Sequence, residues 1–113
     1  MKKIEALVRP ERLNDVRKLL ATMGHRSLIY SDIWYRGSEN EIEPQSHNEN
    51  LHLYEFMAKV KMELIVRDDE VQTIVDAICE SAHTGHIGDG KIFVLPVEEA
   101  IRVQTRETGD AVF

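Results

Sequence analysis

At 113 residues the chain has the length of one domain, and we expect residues 1–113 to form one unit around one core. Its 42% hydrophobic and 30% charged residues match a globular protein rather than a disordered or fibrous one. A formal charge of −6, with no basic cluster interleaved with aromatics, excludes nucleic acid as the expected partner.

No apolar run approaches the ~20 residues that span a bilayer, and the opening Met-Lys-Lys-Ile-Glu-Ala contains no signal-peptide core. A cytoplasmic protein without membrane insertion is expected. Cys79 has no second cysteine to pair with, and is read as a small core hydrophobe within a helix.

Lys2 to Arg9 alternates Ile4, Ala6 and Val8 against Lys3, Glu5 and Leu7, the period of a strand, and Pro10 closes it. From Glu11 onward, Leu13, Val16, Leu20 and Met23 share one helical face, and Gly24 supplies a stop. Ser27 to Arg36 is rich in β-branched and aromatic residues and reads as a second strand. The alternation of Phe56, Ala58, Val60, Met62, Leu64 and Val66 is the clearest strand of the chain.

Asp68 and Asp69 suit a helix N-terminus, where carboxylates accept from free amides. Val71, Ile74, Val75, Ile78 and Ala82 then form the apolar stripe of that second helix. Lys91 to Val97 reads as a fourth strand, Glu98 to Ala100 as a helical turn and Ile101 to Thr105 as a short fifth strand. The order βαββαβ predicts an α+β, ferredoxin-like sandwich with an antiparallel sheet and both helices on one face. No helix remains to cover the other face, so self-association is expected.

Two segments carry chemical information. Thr84-Gly85-His86-Ile87-Gly88-Asp89-Gly90-Lys91 places three glycines in six residues before a lysine. Glycines let backbone N–H groups converge on an anion and the lysine adds charge; a tight helix-to-strand turn would use glycines equally well. The second segment, Gly37 to Glu55, holds five glutamates but no lysine or arginine. An irregular stretch of that length is read as a protruding functional loop.

Other constellations read blandly. His83 with His86, and His47 with His52, lack a carboxylate or thiol to complete a metal site. Glu98 and Glu99 are adjacent, diverge on a turn, and form no acid–base pair. No catalytic residue is nominated.

Met1-Lys2-Lys3-Ile4, together with Thr84-Gly85 and Ile87-Gly88-Asp89-Gly90-Lys91-Ile92-Phe93-Val94, resembles the PII nitrogen-regulatory proteins, and the resemblance runs the whole length. It implies a homotrimer with adenine-nucleotide sites (ATP or ADP, and AMP as a further candidate) in the clefts between subunits. It also implies that residues 37–55 are the T-loop that contacts a target, such as a membrane transporter or a metabolic enzyme. Regulation rather than catalysis follows from the same resemblance.

Carried over residue by residue, Gly88, Asp89, Gly90 and Lys91 match positions that hold the phosphates. Arg102 matches a phosphate-binding arginine, Glu63 and Ile65 match positions near adenine and ribose, and Gly37 and Thr84 complete the nucleotide set. The family's Arg-Gln pair after Gly37 is replaced by Ser38 and Glu39, and a second phosphate-binding arginine by Gln104. Glu39 is a candidate Mg2+ ligand, and Lys59 matches the lysine that pairs with 2-oxoglutarate.

Two readings therefore stand: an adenine-nucleotide sensor in which ADP or AMP competes with ATP, and a standard nitrogen regulator sensing 2-oxoglutarate with Mg-ATP. The rivals from other classes are a slow ATP or ADP phosphohydrolase and a trimer that binds no nucleotide. The loop has Leu51 and His52 near its tip and Tyr54 near its base, so uridylylation of a tip tyrosine is not expected.

Overall fold

The computed structural model describes residues 1–37 and 56–113. In chain order the elements are β1 (Lys2–Val8), α1 (Leu13–Thr22), β2 (Ile29–Tyr35), β3 (Met57–Val66), α2 (Val71–Ala82) and β4 (Gly90–Pro96). Short 3-10 turns over Pro10–Arg12 and Asp68–Glu70 lead into the two helices, and another spans Gly109–Val112. The strands form one antiparallel sheet in the order β2-β3-β1-β4, which is the ferredoxin-like arrangement.

Alternation decides which face is buried. Ile4, Ala6 and Val8 of β1 and Val60, Met62, Leu64 and Val66 of β3 meet Val16 and Leu20 of α1 and Ile74, Ala77, Ile78 and Ala82 of α2. Burying an aliphatic side chain of this size contributes about 1.5–3 kcal/mol, so this layer fixes the register as well as the fold. Among the described residues the opposite face carries no helix. Lys3, Glu5, Lys61 and Glu63 form an ionic belt across β1 and β3 there, with nitrogen–oxygen separations of 3.4 to 4.0 Å.

The start of α2 departs from the expectation of two capping aspartates. Asp68 pairs with the Met1 ammonium at 3.0 Å and Asp69 with Arg67 at 3.3 Å. Glu70, three residues on, accepts from the Arg67 backbone N–H at 3.1 Å. Asp68 is thus engaged by the start of β1, through the Met1 ammonium and Lys2.

The end of the chain departs further. Glu98 to Ala100 carries a bend and no helical turn, and Ile101 to Thr105 forms no fifth strand. Ile101 makes one isolated bridge to Thr108, and the chain between them folds into a turn with Arg106 at φ 61°. Arg102 N–H donates to Glu107 O at 2.9 Å and Arg106 N–H to Arg102 O at 2.8 Å, so local pairing replaces sheet pairing. Val103 is 96% exposed, which shows why apolar alternation alone misleads here. Cys79 also lies exposed on α2 rather than in the core.

Candidate functional site

The Gly-rich segment between α2 and β4 is organised by one carboxylate. Asp89 accepts from Thr84 N–H at 2.8 Å, Gly85 N–H at 3.1 Å, the Thr84 hydroxyl, and Arg9 Nε at 3.1 Å. Burial pushes the Asp89 carboxyl up, but the Thr84 hydroxyl and amide, Arg9 and the Gly85 amide overcome it and hold the carboxyl far below the ordinary value of 3.8. This carboxylate sits at the centre of the loop's hydrogen bonds.

Gly90 is required by close approach. At φ +118° its backbone lies against β1, and an added Cβ would collide with the Leu7 carbonyl. Its partner across the ladder is Val8, which brings the end of the Gly-rich loop beside Arg9. Gly88 (φ +99°) takes a conformation that L side chains rarely adopt. The positive φ of Gly88 and Gly90 is what the tight-turn reading of the sequence requires.

Three cations converge on this loop. Arg9 donates through Nη2 to Ile87 O at 2.7 Å as well as to Asp89. Lys59, only 2% exposed, donates through Nζ to Gly88 O, so it is a buried ammonium rather than a solvated strand-face lysine. Lys91 donates to the Tyr35 hydroxyl at 2.9 Å, and its ammonium stands 5.6 Å from the centre of that ring. Among the described residues Asp89 is the carboxylate that Arg9 meets at this corner.

Of the residues nominated from sequence, Thr84, Gly88, Asp89, Gly90, Lys91 and Lys59 meet at this corner. Gly37 follows β2 two residues beyond Tyr35. Glu63 and Ile65 stand elsewhere on the helix-free face. Lys91, Leu7 and Lys61 form one cross-strand row, Phe93, Glu5 and Glu63 the next, and Leu95, Lys3 and Ile65 the one after. Successive rows on one face are about 7 Å apart along the strands. Glu63 and Ile65 line a recess of about 540 Å³ with Arg26, Ser27, Leu28 and Phe113.

Burial pushes the Glu63 carboxyl up, but its hydrogen bonds with Glu5 and Lys3 and the charges of Lys3 and Lys61 hold it below its ordinary value of 4.5. Arg102 is anchored within the C-terminal segment. Its Nε donates to Glu107 at 3.0 Å and its Nη2 to Ala111 O at 2.8 Å. Glu39, Ser38 and most of the expected T-loop lie outside the described residues. Arg9 and Tyr35 were not nominated, and only the sheet order reveals them.

A model of the family described as nitrogen regulatory protein P-II matches residues 1–107. The chain belongs to the PII family. It is 43% identical over 108 residues to the nitrogen regulatory protein P-II homolog of Arabidopsis thaliana, covering 96% of this chain and 55% of that protein. With the nitrogen regulatory protein GlnK2 of Haloferax mediterranei it shares 43% identity over 113 residues, covering 99% of this chain and 91% of that one. With nitrogen regulatory protein P-II 1 of Escherichia coli K12 the identity is 40% over 122 aligned residues, covering 98% of each.

The crystal structure of Arabidopsis thaliana PII bound to citrate superposes with a TM-score of 0.79 at 40% identity, covering 99% of this chain and 91% of that one. PII proteins are signalling regulators, so this chain is a regulator rather than an enzyme. Among the described residues no helix is long and apolar enough to cross a membrane.

Proposed function

We propose that this PII protein binds an adenine nucleotide, ATP, ADP or AMP, with its phosphates at the Gly88–Lys91 corner, and reports the occupancy to a target protein through residues 37–55. The observation that carries this reading is the gathering of Arg9, Lys59 and Lys91 beside a glycine-rich loop whose Asp89 carboxylate is engaged by internal donors. The Glu63–Ile65 recess supplies an apolar wall and a hydrogen-bonding carboxylate of the kind an adenosine moiety uses.

Arg102 makes its contacts within the C-terminal segment, away from the Gly-rich corner. Its participation, and that of the Glu63 recess, is best accounted for if neighbouring copies complete each other's sites in a homotrimer. The helix-free face, with Phe93 and Ile29 exposed beside the ionic belt, offers the surface for that assembly. Residues 1–113 then act as one cytoplasmic unit, and the target is a transporter or a metabolic enzyme.

A second reading, the nitrogen regulator that senses 2-oxoglutarate with Mg-ATP, is supported by the family and by Lys59, whose buried ammonium lies against the Gly-rich loop. Glu39 would hold the Mg2+ in that reading. Native mass spectrometry of the purified protein tests the common part of both. A trimer carrying one adenine nucleotide per subunit is expected, and a monomer that takes up none when ADP or ATP is added would overturn it.

A further inference from the structure

A second recess, of about 400 Å³, adjoins the one beside Glu63 and shares Arg26, Ser27, Ile65 and Phe113 with it. It begins at Gly24, whose φ of +93° ends α1 and lets the His25 N–H return to Leu20 O at 2.9 Å. His25 then meets the turn that leads into α2, its Nε2 standing 3.7 Å from Glu70 Oε1. Glu70 is also held by Arg67 at 3.2 Å, and Arg67 donates to Asp69 at 3.3 Å. Two other charged side chains of the lining are not engaged in this way. Among the described residues the side chains of Arg26 and Asp110, both exposed, make no hydrogen bond or ion pair. Met23, Ile65 and Phe113 add apolar surface to the same recess.

We propose that this recess binds a free α-amino acid with an apolar side chain. Arg26 takes the carboxylate, Asp110 the ammonium, and Met23, Ile65 and Phe113 receive the side chain. The guanidinium fork of Arg26 matches the two oxygens of a carboxylate, and the Asp110 carboxylate accepts from an ammonium. Charge of a single sign does not suit the recess: an anion drawn to Arg26 also meets Asp110, and a cation drawn to Asp110 also meets Arg26. A zwitterion answers both, and an analogue lacking either group leaves one of the two charges opposed or unpaired. The volume of about 400 Å³ lies at the small end of the ~300–1,000 Å³ typical of small-molecule sites, which suits one amino acid rather than a peptide. Because Arg26 and Phe113 also line the Glu63 recess, an amino acid held here fixes two of that recess's walls and is a second input to the regulator.

The test is calorimetric titration of the full chain with L-leucine, L-methionine and L-phenylalanine, and with two analogues of leucine: isocaproate, which lacks the ammonium, and isoamylamine, which lacks the carboxylate. The wild type should bind one or more of the amino acids at one site per chain, and both analogues about tenfold more weakly or worse. Arg26→Ala and Asp110→Asn should each weaken amino-acid binding by about tenfold or more, the range of one hydrogen bond between charged groups. The thermal midpoint without ligand should stay close to that of the wild type, because both side chains are exposed. A wild type that binds none of the three amino acids would overturn the proposal. So would analogues that bind as tightly as leucine, or variants that keep the wild-type affinity. ADP titrated separately decides the nucleotide reading, so the two fail independently.

Discussion

Arg9 Nε lies 3.1 Å from Asp89 Oδ1, joining the end of β1 to the Gly-rich loop across eighty positions of sequence. The pair is partly buried, with side chains 13% and 24% exposed. Asp89 also accepts from Thr84 and Gly85, so its loss leaves several donors without a partner. Asp89→Ala should therefore cost about 1–3 kcal/mol of stability. Arg9→Ala should cost less, and the double variant less than the sum, as measured by urea unfolding in a double-mutant cycle. Strict additivity would show the two residues to be independent.

Acid should find the same carboxylate. Its folded-state pKa is depressed below the ordinary 3.8, so its contribution is fully present above that value and is lost as pH falls below it toward the folded-state pKa. Glu63, lowered from 4.5, adds to the loss in the same direction. The thermal midpoint of the wild type should fall steeply below about pH 4, and the gap between wild type and Asp89→Asn should narrow over the same interval. A gap that widens on acidification would contradict the hydrogen-bond pattern around Asp89.

Gly90 tests the close approach of β4 to β1. Any side chain there meets the Leu7 carbonyl and requires positive φ, so Gly90→Ala should destabilise by roughly 3 kcal/mol or more. Gly109, also at positive φ but with open space around it, should tolerate alanine far better, by about 1–2 kcal/mol. Denaturant midpoints of the two variants, measured side by side, separate steric conflict from backbone strain.

Much of this architecture is legible in the sequence, for reasons that differ by element. β3 and α2 each bury one face, so the alternation from Phe56 to Val66 and the stripe from Val71 to Ala82 stand out. Ile101 to Thr105 shows a similar alternation, but among the described residues no strand pairs with it, and the Arg102–Glu107 contacts close a turn instead. Within the site, the glycines and Lys91 are visible because their chemistry is local. Arg9 and Tyr35 are not, because their contacts with Asp89 and Lys91 exist only once β1 is central and β2 and β4 are edges. Asp89 matches a phosphate-holding position by resemblance, and its carboxylate also holds the loop together.

Charge at the corner makes a further prediction. Lys91→Ala removes a cation that faces the proposed phosphates and should weaken ADP and ATP binding about tenfold or more, with unfolding little changed because the side chain is exposed. Arg102→Ala should weaken nucleotide binding only in the assembled oligomer if a neighbouring copy completes the site. Binding measured across a dilution series that dissociates the oligomer distinguishes the two, since only the Arg102 effect should vanish on dissociation.

The most direct measurement is isothermal titration of the wild-type protein with ATP, ADP and AMP, each with and without Mg2+ and 2-oxoglutarate. Saturable binding of adenine nucleotide at one site per subunit is predicted. Independence from 2-oxoglutarate would mark an adenine-nucleotide sensor, and oxoglutarate-dependent ATP binding would mark the standard nitrogen regulator. Absence of heat and of binding for all three nucleotides under every condition would contradict the assignment of the Gly88–Lys91 corner as a phosphate site.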